Sequence, residues 1–315
     1  MPARPPSIVL FGEALIDDFS TTQAVGGAPF NVARHLAAFH AGPMLVTRIG
    51  NDAHGAMVRA ELARFAMRQE GVQVDALAPT GRVLVEPDGA SHRFVILPDQ
   101  AYDLIDAAPA LAALAYCAPA TFYFGTLAQR GATARATLAA LLAATPARRF
   151  LDLNLRDGQT DRNCVFASLH EADVVKVNEP ELRDLFAWFD AQAPAVAQRV
   201  DMADAPVLAA CLRLMRTFDL TGLLVTLGER GAVYLGADGT RCGALRQADV
   251  ARLADTVGAG DAFAAIYLLG CARGWPLDTT LQRANQFAAA ICGIAGAVPA
   301  DSSFYEPWIT RWLAD

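Results

Sequence analysis

Six short apolar runs, SIVLF (7–11), PMLVTRIG (43–50), TFYFGTL (121–127), RFLDLNL (149–155), ADVVKVN (172–178) and GLLVTLG (222–228), are each bounded by polar or turn residues. Runs of that length read as buried strands. Between them lie segments such as APFNVARHLAAFH and AMVRAELARFAMRQE, whose apolar residues recur at helical spacing. Alternation of this kind permits few architectures. It predicts an α/β chain built on a doubly wound, mostly parallel sheet flanked by helices, and it places ligands at the carboxyl ends of the strands.

One segment departs from the alternation. GRVLVEPDGASHRFVIL (81–97) is a pair of alternating runs around Pro87, Asp88 and Gly89, a hairpin with no helix between its strands. It reads either as a lid or as an edge hairpin of the main sheet. The stretch 107–125 is apolar but mostly alanine, with Pro109, Tyr116 and Pro119, and reads as core helix plus strand rather than a membrane span. A chain of 315 residues sits near the size at which one core stops growing, and no linker divides it, so residues 1–315 are expected to form a single domain. Apolar residues make up 54% and charged ones 19%, and the formal charge of -7 offers no basic footprint for nucleic acid or an anionic membrane. The six cysteines are never closer than 21 positions, so no local metal knuckle exists. The apolar run before Glu13 is too short for a secretory h-region, which makes the cytoplasm the expected compartment.

In VGAGD, Gly258 and Gly260 leave backbone N–H groups unobstructed where an apolar helix begins. Unpaired amides and the positive end of a helix dipole suit an anion such as a phosphate. Asp261 would repel that anion unless it faces the second reactant, which is where a general base for a hydroxyl belongs. The alternative is a Gly-rich turn with an N-cap or first-turn acid. In GGAPFNVA, Gly26 and Gly27 would let a ligand approach the main chain, and Asn31 offers the donor and acceptor that a sugar hydroxyl needs; a tight turn into a helix is the plainer account. Asn178 and Glu181, spaced three apart after a buried strand, satisfy a capping box. The same geometry could hold water on a magnesium ion. Asp17 follows the first strand and should sit at the ligand end of the sheet. The five histidines fall in helix and hairpin patterns and read as surface or core residues. Other phosphate and catalytic motifs fail: the only lysine, Lys176, is not in a Gly-Lys pair, FGEALIDD stands where a dinucleotide fingerprint would, and neither H-E-x-x-H nor G-x-S-x-G occurs.

Taken together, GEALIDDF, GGAPFNVA, TRIGNDAHG, DLNLR, VKVNEPEL, VTLGERGA and DTVGAGDAF occur in an order and spacing that resemble the PfkB family of carbohydrate kinases, the ribokinase-like fold, from about residue 7 to residue 299. The closest likeness is to the fructokinases, through GEALID, GGAPFNVA and RIGND. The resemblance implies a small β lid from about residues 13–25 and 82–98. It also implies ATP-dependent transfer of the γ-phosphoryl group to a sugar hydroxyl, with fructose as the first candidate. Asp261 would be the general base, and the amides of Gly258, Ala259 and Gly260 an anion hole over the moving phosphoryl group. Asp17, Gly27 and Asn31 would hold the sugar, and Thr226, Gly228 and Asn285 would line the nucleotide pocket. Asn178 and Glu181 match the motif that serves Mg²⁺ and phosphate. Asp255 and the carbonyl of Val257, with main-chain oxygens in 292–297, match a monovalent cation site for K⁺. The implied partners are a small-molecule sugar and, through the lid, a second copy of the chain in a homodimer, with no nucleic acid and no membrane.

The chain also departs from the family. The segment between Gly71 and Arg82 is short, which leaves open the size of the lid and any dimer contact through it. Phe30 stands where fructokinases often carry a small residue, which would reshape the sugar pocket. Arg156 is placed to meet a phosphate or carboxylate, so 2-keto-3-deoxygluconate is the alternative substrate. A non-catalytic sugar or nucleotide sensor on the same fold is a reading of another class; an intact GAGD argues against it, because a pure binder needs no base. An NAD-dependent oxidoreductase lacks its glycine fingerprint.

Overall fold

The computed structural model describes residues 7–19, 21–88, 91–194, 199–244 and 254–313. The first half of the chain forms β1 (Ile8–Phe11), β2 (Leu15–Asp18), β3 (Gln23–Gly26), α1 (Ala28–Ala38), β4 (Met44–Gly50), α2 (Ala53–Arg64), β5 (Val72–Asp75), β6 (Gly81–Asp88) and β7 (Ser91–Ile96). There follow α3 (Ala107–Leu114), β8 (Thr121–Phe124), α4 (Ala132–Ala143), β9 (Arg148–Asp152), α5 (Arg162–Glu171), β10 (Val174–Asn178) and α6 (Glu179–Phe189). The last elements are α7 (Ala205–Thr217), β11 (Gly222–Thr226), β12 (Ala232–Gly236), β13 (Arg241–Ala244), α8 (Ala259–Arg273), α9 (Leu277–Ile291) and α10 (Glu306–Leu313).

Each of the six apolar runs becomes a strand of one nine-stranded sheet, ordered β13-β12-β11-β10-β9-β8-β1-β4-β5. From β5 to β11 neighbouring strands are parallel; β12 and β13 add an antiparallel edge that the sequence reading did not include. Chain order runs outward in both directions from the β1–β8 pair, so the switch point of the sheet lies there. Along β1, Val9 and Phe11 enter a core with Ala110 of α3, Leu138 of α4 and Leu182 of α6. Ile8 and Leu10 enter the opposite core with Phe30 of α1, Val58 of α2, Ile266 of α8 and Phe287 of α9. Coverage of both faces explains why the strands read as continuous apolar runs rather than alternating ones. Helix α8 is buried from Ala262 to Gly270 and packs against both α1 and α9.

The hairpin β6–β7 does not join the edge of the main sheet. It forms a second sheet with β2 and β3, in the order β3-β2-β6-β7, with β2 parallel to β6. Gly89, in the expected turn, lies outside the described residues. The short segment before β6 is sufficient because Asp75 accepts hydrogen bonds from the N–H groups of Leu77 and Ala78, both 2.8 Å, which folds the chain straight back.

One helix boundary differs from the sequence pattern, which ran the second helix from 56 to 70. Asp52 caps the start by accepting from Gly55 N–H at 2.7 Å. The helix ends at Arg64 because Ala66 takes φ +48° and Met67 N–H returns to the Leu62 carbonyl at 2.8 Å. That left-handed stop leaves no trace in apolar spacing. No helix among the described residues is long and apolar enough to cross a membrane.

Candidate active site

Helix α8 starts behind Gly258, whose φ of +78° is left-handed and whose Cβ, if present, would fall 2.5 Å from the Cα of Ala297. Only glycine lets the chain after α9 pack so closely on this turn. The N–H of Ala259 is used, donating to the Thr256 carbonyl at 3.3 Å. Among the described residues, no acceptor meets the N–H groups of Gly258, Gly260 or Asp261. The open donors are thus shifted from the Gly258, Ala259, Gly260 set that the resemblance implied. They remain at the positive end of a fifteen-residue helix.

Asp261 is half-buried in the first turn of α8, and its Oδ2 accepts from Asn31 Nδ2 at 2.7 Å. Burial pushes its carboxyl up to about 6; the Asn31 hydrogen bond opposes that shift and the Asp152 carboxylate adds to it. Such a group is ionised at neutral pH yet basic enough to take a proton from a hydroxyl.

Beneath this helix start lies a pair that the sequence reading did not single out. Lys176 and Asp152 are register partners on the adjacent parallel strands β10 and β9. The ammonium donates to both carboxylate oxygens, at 2.8 and 3.0 Å, and lies 3.5 Å from where a Cβ on Gly260 would be. Burial works against the lysine's charge, but Asp152, Glu181 and Asp261 outweigh it and hold the ammonium above its ordinary value. The available signal was the chain's only lysine inside an otherwise apolar strand.

Of the residues expected to hold a sugar, Asn31 meets Asp261 directly, and Asp17 and Asp261 both feel the charge of Arg156. Asp17 is half-buried on β2, and its carboxylate makes no hydrogen bond among the described residues; burial pushes it up to about 6, with Arg156 and Arg34 opposing. Gly27 caps α1 at φ +102°, where a Cβ would sit 2.6 Å from the Glu13 carbonyl oxygen. Asn31 does not present a free donor and acceptor pair. Its Oδ1 accepts from Arg34 while its Nδ2 donates to Asp261. Arg156 is exposed and hydrogen-bonds to none of the described side chains, yet it acts electrostatically on Glu13, Asp17 and Asp261.

Glu13 is a further acid that the sequence reading did not assign. It is buried and accepts from the Ala28 N–H at 3.3 Å, and burial raises it from 4.5 to about 7. The folded form therefore holds its proton more tightly than the unfolded chain does. Its burial costs no stability below about pH 4.5, where both states hold the proton, and stability falls progressively as pH rises to about 7. Glu13→Gln keeps an acceptor for Ala28 and removes the charge. Chemical denaturation should show a gain of roughly 2–3 kcal/mol at pH 8 and little at pH 5; an equal change at both would refute the assignment.

At the end of β10, Asn178 and Glu181 form a complete capping box at the start of α6. Glu181 N–H donates to Asn178 Oδ1 at 2.9 Å, and Asn178 N–H to Glu181 Oε2 at 2.8 Å. Glu181 Oε1 also accepts from Leu155 N–H at 2.9 Å, which ties the end of β9 to α6. No group of three His, Cys, Asp or Glu among the described residues is arranged to hold a metal. Thr226 is the register partner of Asn178 on β11, and its hydroxyl donates to the Val177 carbonyl at 3.3 Å. Gly228 opens the turn after β11, and Asn285 is buried on α9. Asp255 accepts from Val257 N–H at 3.0 Å and from Gly296 N–H at 3.2 Å, so it joins the approach to α8 with the chain that leaves α9. The Cys292 carbonyl is taken by the amides of Ala254 and Asp255, whereas the Val257 carbonyl meets no donor among the described residues.

Residues 4–302 match the pfkB family carbohydrate kinase. The chain is 30% identical over 329 residues to fructokinase-1 of Oryza sativa subsp. japonica, covering 95% of each. A fructokinase with bound ATP from Xylella fastidiosa has the same fold, with a TM-score of 0.77 at 20% identity, covering 98% of this chain and 100% of that one. A putative ribokinase II in complex with ATP and Mg²⁺ from E. coli gives 0.79 at 18%, covering 97% and 99%. The fold, the acid beside open amides at a helix start and a family match over nearly the whole length agree: the chain belongs to the pfkB family of carbohydrate kinases.

Proposed function

We propose that the chain is a fructokinase-like enzyme that moves the γ-phosphoryl group of ATP to a hydroxyl of fructose. The observation that carries this reading is Asp261, half-buried and raised to about 6, one residue from the open amide of Gly260. Asp17 and the main chain at Gly27 hold the sugar so that one hydroxyl faces the free oxygen of Asp261. As the hydroxyl oxygen bonds to the γ-phosphorus, its proton passes to Asp261 and the bond to the bridging oxygen of ADP breaks. The amides of Gly258, Gly260 and Asp261 receive the charge that gathers on the phosphoryl oxygens. Thr226, Gly228 and Asn285 line the nucleotide side.

The donor set fits magnesium held through water. Both Glu181 oxygens already accept N–H groups, and Asn178 is exposed beside them, so these residues would orient the ion's waters rather than ligate it in a protein cage. Bound Mg²⁺ neutralises charge on the phosphates. Asp255 and the Val257 carbonyl are the proposed K⁺ site, and the small sheet is the proposed lid over the sugar.

Fructose comes first because a 30% identical relative covering both chains carries that name. Arg156 sustains a second reading, 2-keto-3-deoxygluconate, since an uncommitted guanidinium beside Asp17 suits a carboxylate. ADP release should be measured with ATP, Mg²⁺ and fructose, ribose or 2-keto-3-deoxygluconate. The expected result is a kcat/KM for fructose at least about 10-fold above the others. Preference for the keto acid would install the second reading, and no turnover with any of a wide sugar panel would remove both.

A further inference from the structure

We infer that Arg34, a residue with no assigned role, positions the catalytic base: it locks the Asn31 side-chain amide so that nitrogen, and not oxygen, faces Asp261. The inference rests on Asp261 acting as the base.

Arg34 lies one turn beyond Asn31 on α1, so the two share a face. It is 3% exposed. One terminal nitrogen donates to Asn31 Oδ1 and to the Val25 carbonyl of β3, the latter at 2.7 Å. The other donates to Glu61 of α2 at 2.9 Å, and the guanidinium lies 4.8 Å from the centre of the Phe30 ring. A guanidinium has donors and no acceptor, so the Asn31 atom that meets it has to be the oxygen. The amide nitrogen is then directed at Asp261, 2.7 Å away. A flipped amide would bring oxygen against carboxylate and lose both contacts. With Oδ2 of Asp261 committed to Asn31, Oδ1 is the oxygen left for the substrate hydroxyl. The contact with Val25 also ties this chain of groups to the small sheet, so a sugar held by β2 and β3 and the base that serves it share one fixed frame.

A purely structural role for Arg34 would act through its ion pair with Glu61, and the two roles separate experimentally. Glu61 is also held by Arg64, at 2.8 Å through each of two nitrogens, so removing Arg34 does not leave it without a partner. The groups that face Asp261 are Glu13 from the β1–β2 link, Tyr123 of β8, Asp152 of β9, Arg156 beyond β9, Lys176 of β10 and Asn31 itself. Arg34→Met leaves all of them in place.

Steady-state kinetics with ATP, Mg²⁺ and the sugar that the unsubstituted enzyme prefers should compare Arg34→Met, Arg34→Lys, Glu61→Gln and Asp261→Asn. Arg34→Met is expected to lower kcat about 10- to 10²-fold with KM for ATP unchanged. It should also move the acid limb of kcat upward by roughly half a pH unit or more, because the N–H donor that favours the ionised base is released; kcat is read at saturating sugar so that Asp17, whose ionised form Arg34 also favours, does not set the limb. Arg34→Lys should restore part of both, and Glu61→Gln should keep the original acid limb even if it unfolds at lower temperature. An Arg34→Met enzyme whose acid limb stays put, as in Glu61→Gln, would overturn the positioning role while Asp261→Asn still reports on the base. Full activity of Asp261→Asn would instead remove the base assignment itself. Should Arg34→Met not fold, the Asn31 side-chain amide decides in the unsubstituted protein: N–H signals protected from solvent exchange that titrate with the acid limb support the lock, and signals that exchange as fast as those of an exposed primary amide overturn it.

Discussion

Asp261→Asn will lower kcat by about 10²- to 10⁴-fold or more while ATP still binds. Asparagine has the shape of the aspartate and can keep an oxygen toward Asn31 Nδ2, so the 2.7 Å contact survives. What disappears is the proton acceptor. The amides of Gly258 and Gly260, which would hold the phosphoryl oxygens, are main chain and unaffected. KM for ATP should therefore change little, which separates loss of the base from loss of the pocket. The pH profile supplies the second test. The base works only when ionised, and its carboxyl lies at about 6. The rate of the unsubstituted enzyme should fall as pH drops through that value, and the residual rate of Asp261→Asn should lack that limb. Titration of kcat/KM between pH 5 and 8 measures both; a limb that persists in the variant would assign it to another group.

How much of this was legible in the sequence depends on how local each feature is. The parallel core strands were legible because coverage on both faces makes them unbroken apolar runs. The pair β12 and β13 was missed although AVYLG of β12 is a buried apolar run as long as the others, because its antiparallel return onto β11 shows only in the pairing. The hairpin β6–β7 was recognisable, but its sheet was not assignable from pattern. That it joins β2 depends on a pairing between residues more than sixty positions apart. The capping box at Asn178 was legible because all its atoms lie within four residues, while the same spacing does not choose between a cap and a magnesium site. Asp261 was found from glycines beside it in the chain. That Asn31, read from the sequence as a sugar contact, meets it from 230 positions away was not legible, nor was the meeting of Asp152 and Lys176 through the register of two strands. A sequence displays the acid at the helix start, and only the fold displays the charges around it.

Lys176→Met will destabilise the fold by about 3–5 kcal/mol, because it leaves a buried carboxylate without its countercharge. Asp152 is 1% exposed, and among the described residues it has, besides the ammonium, only the Tyr123 hydroxyl, at 3.3 Å, as a side-chain donor. Asp152→Asn/Lys176→Met removes both charges and should recover most of the loss, since a neutral pair in the same space has no unpaid solvation. Stability and chemistry should then part. The lysine charge favours the ionised form of Asp261, and it lies directly beneath the amides at the start of α8. Its removal raises the base's pKa in the single variant, but the double variant also removes Asp152, whose charge acts the other way. The acid limb should accordingly move up in Lys176→Met and return toward its original place in the double variant. Urea unfolding and the kcat/KM profile of both variants test this; equal destabilisation by the single and double changes would mean that the two side chains do not act as a pair.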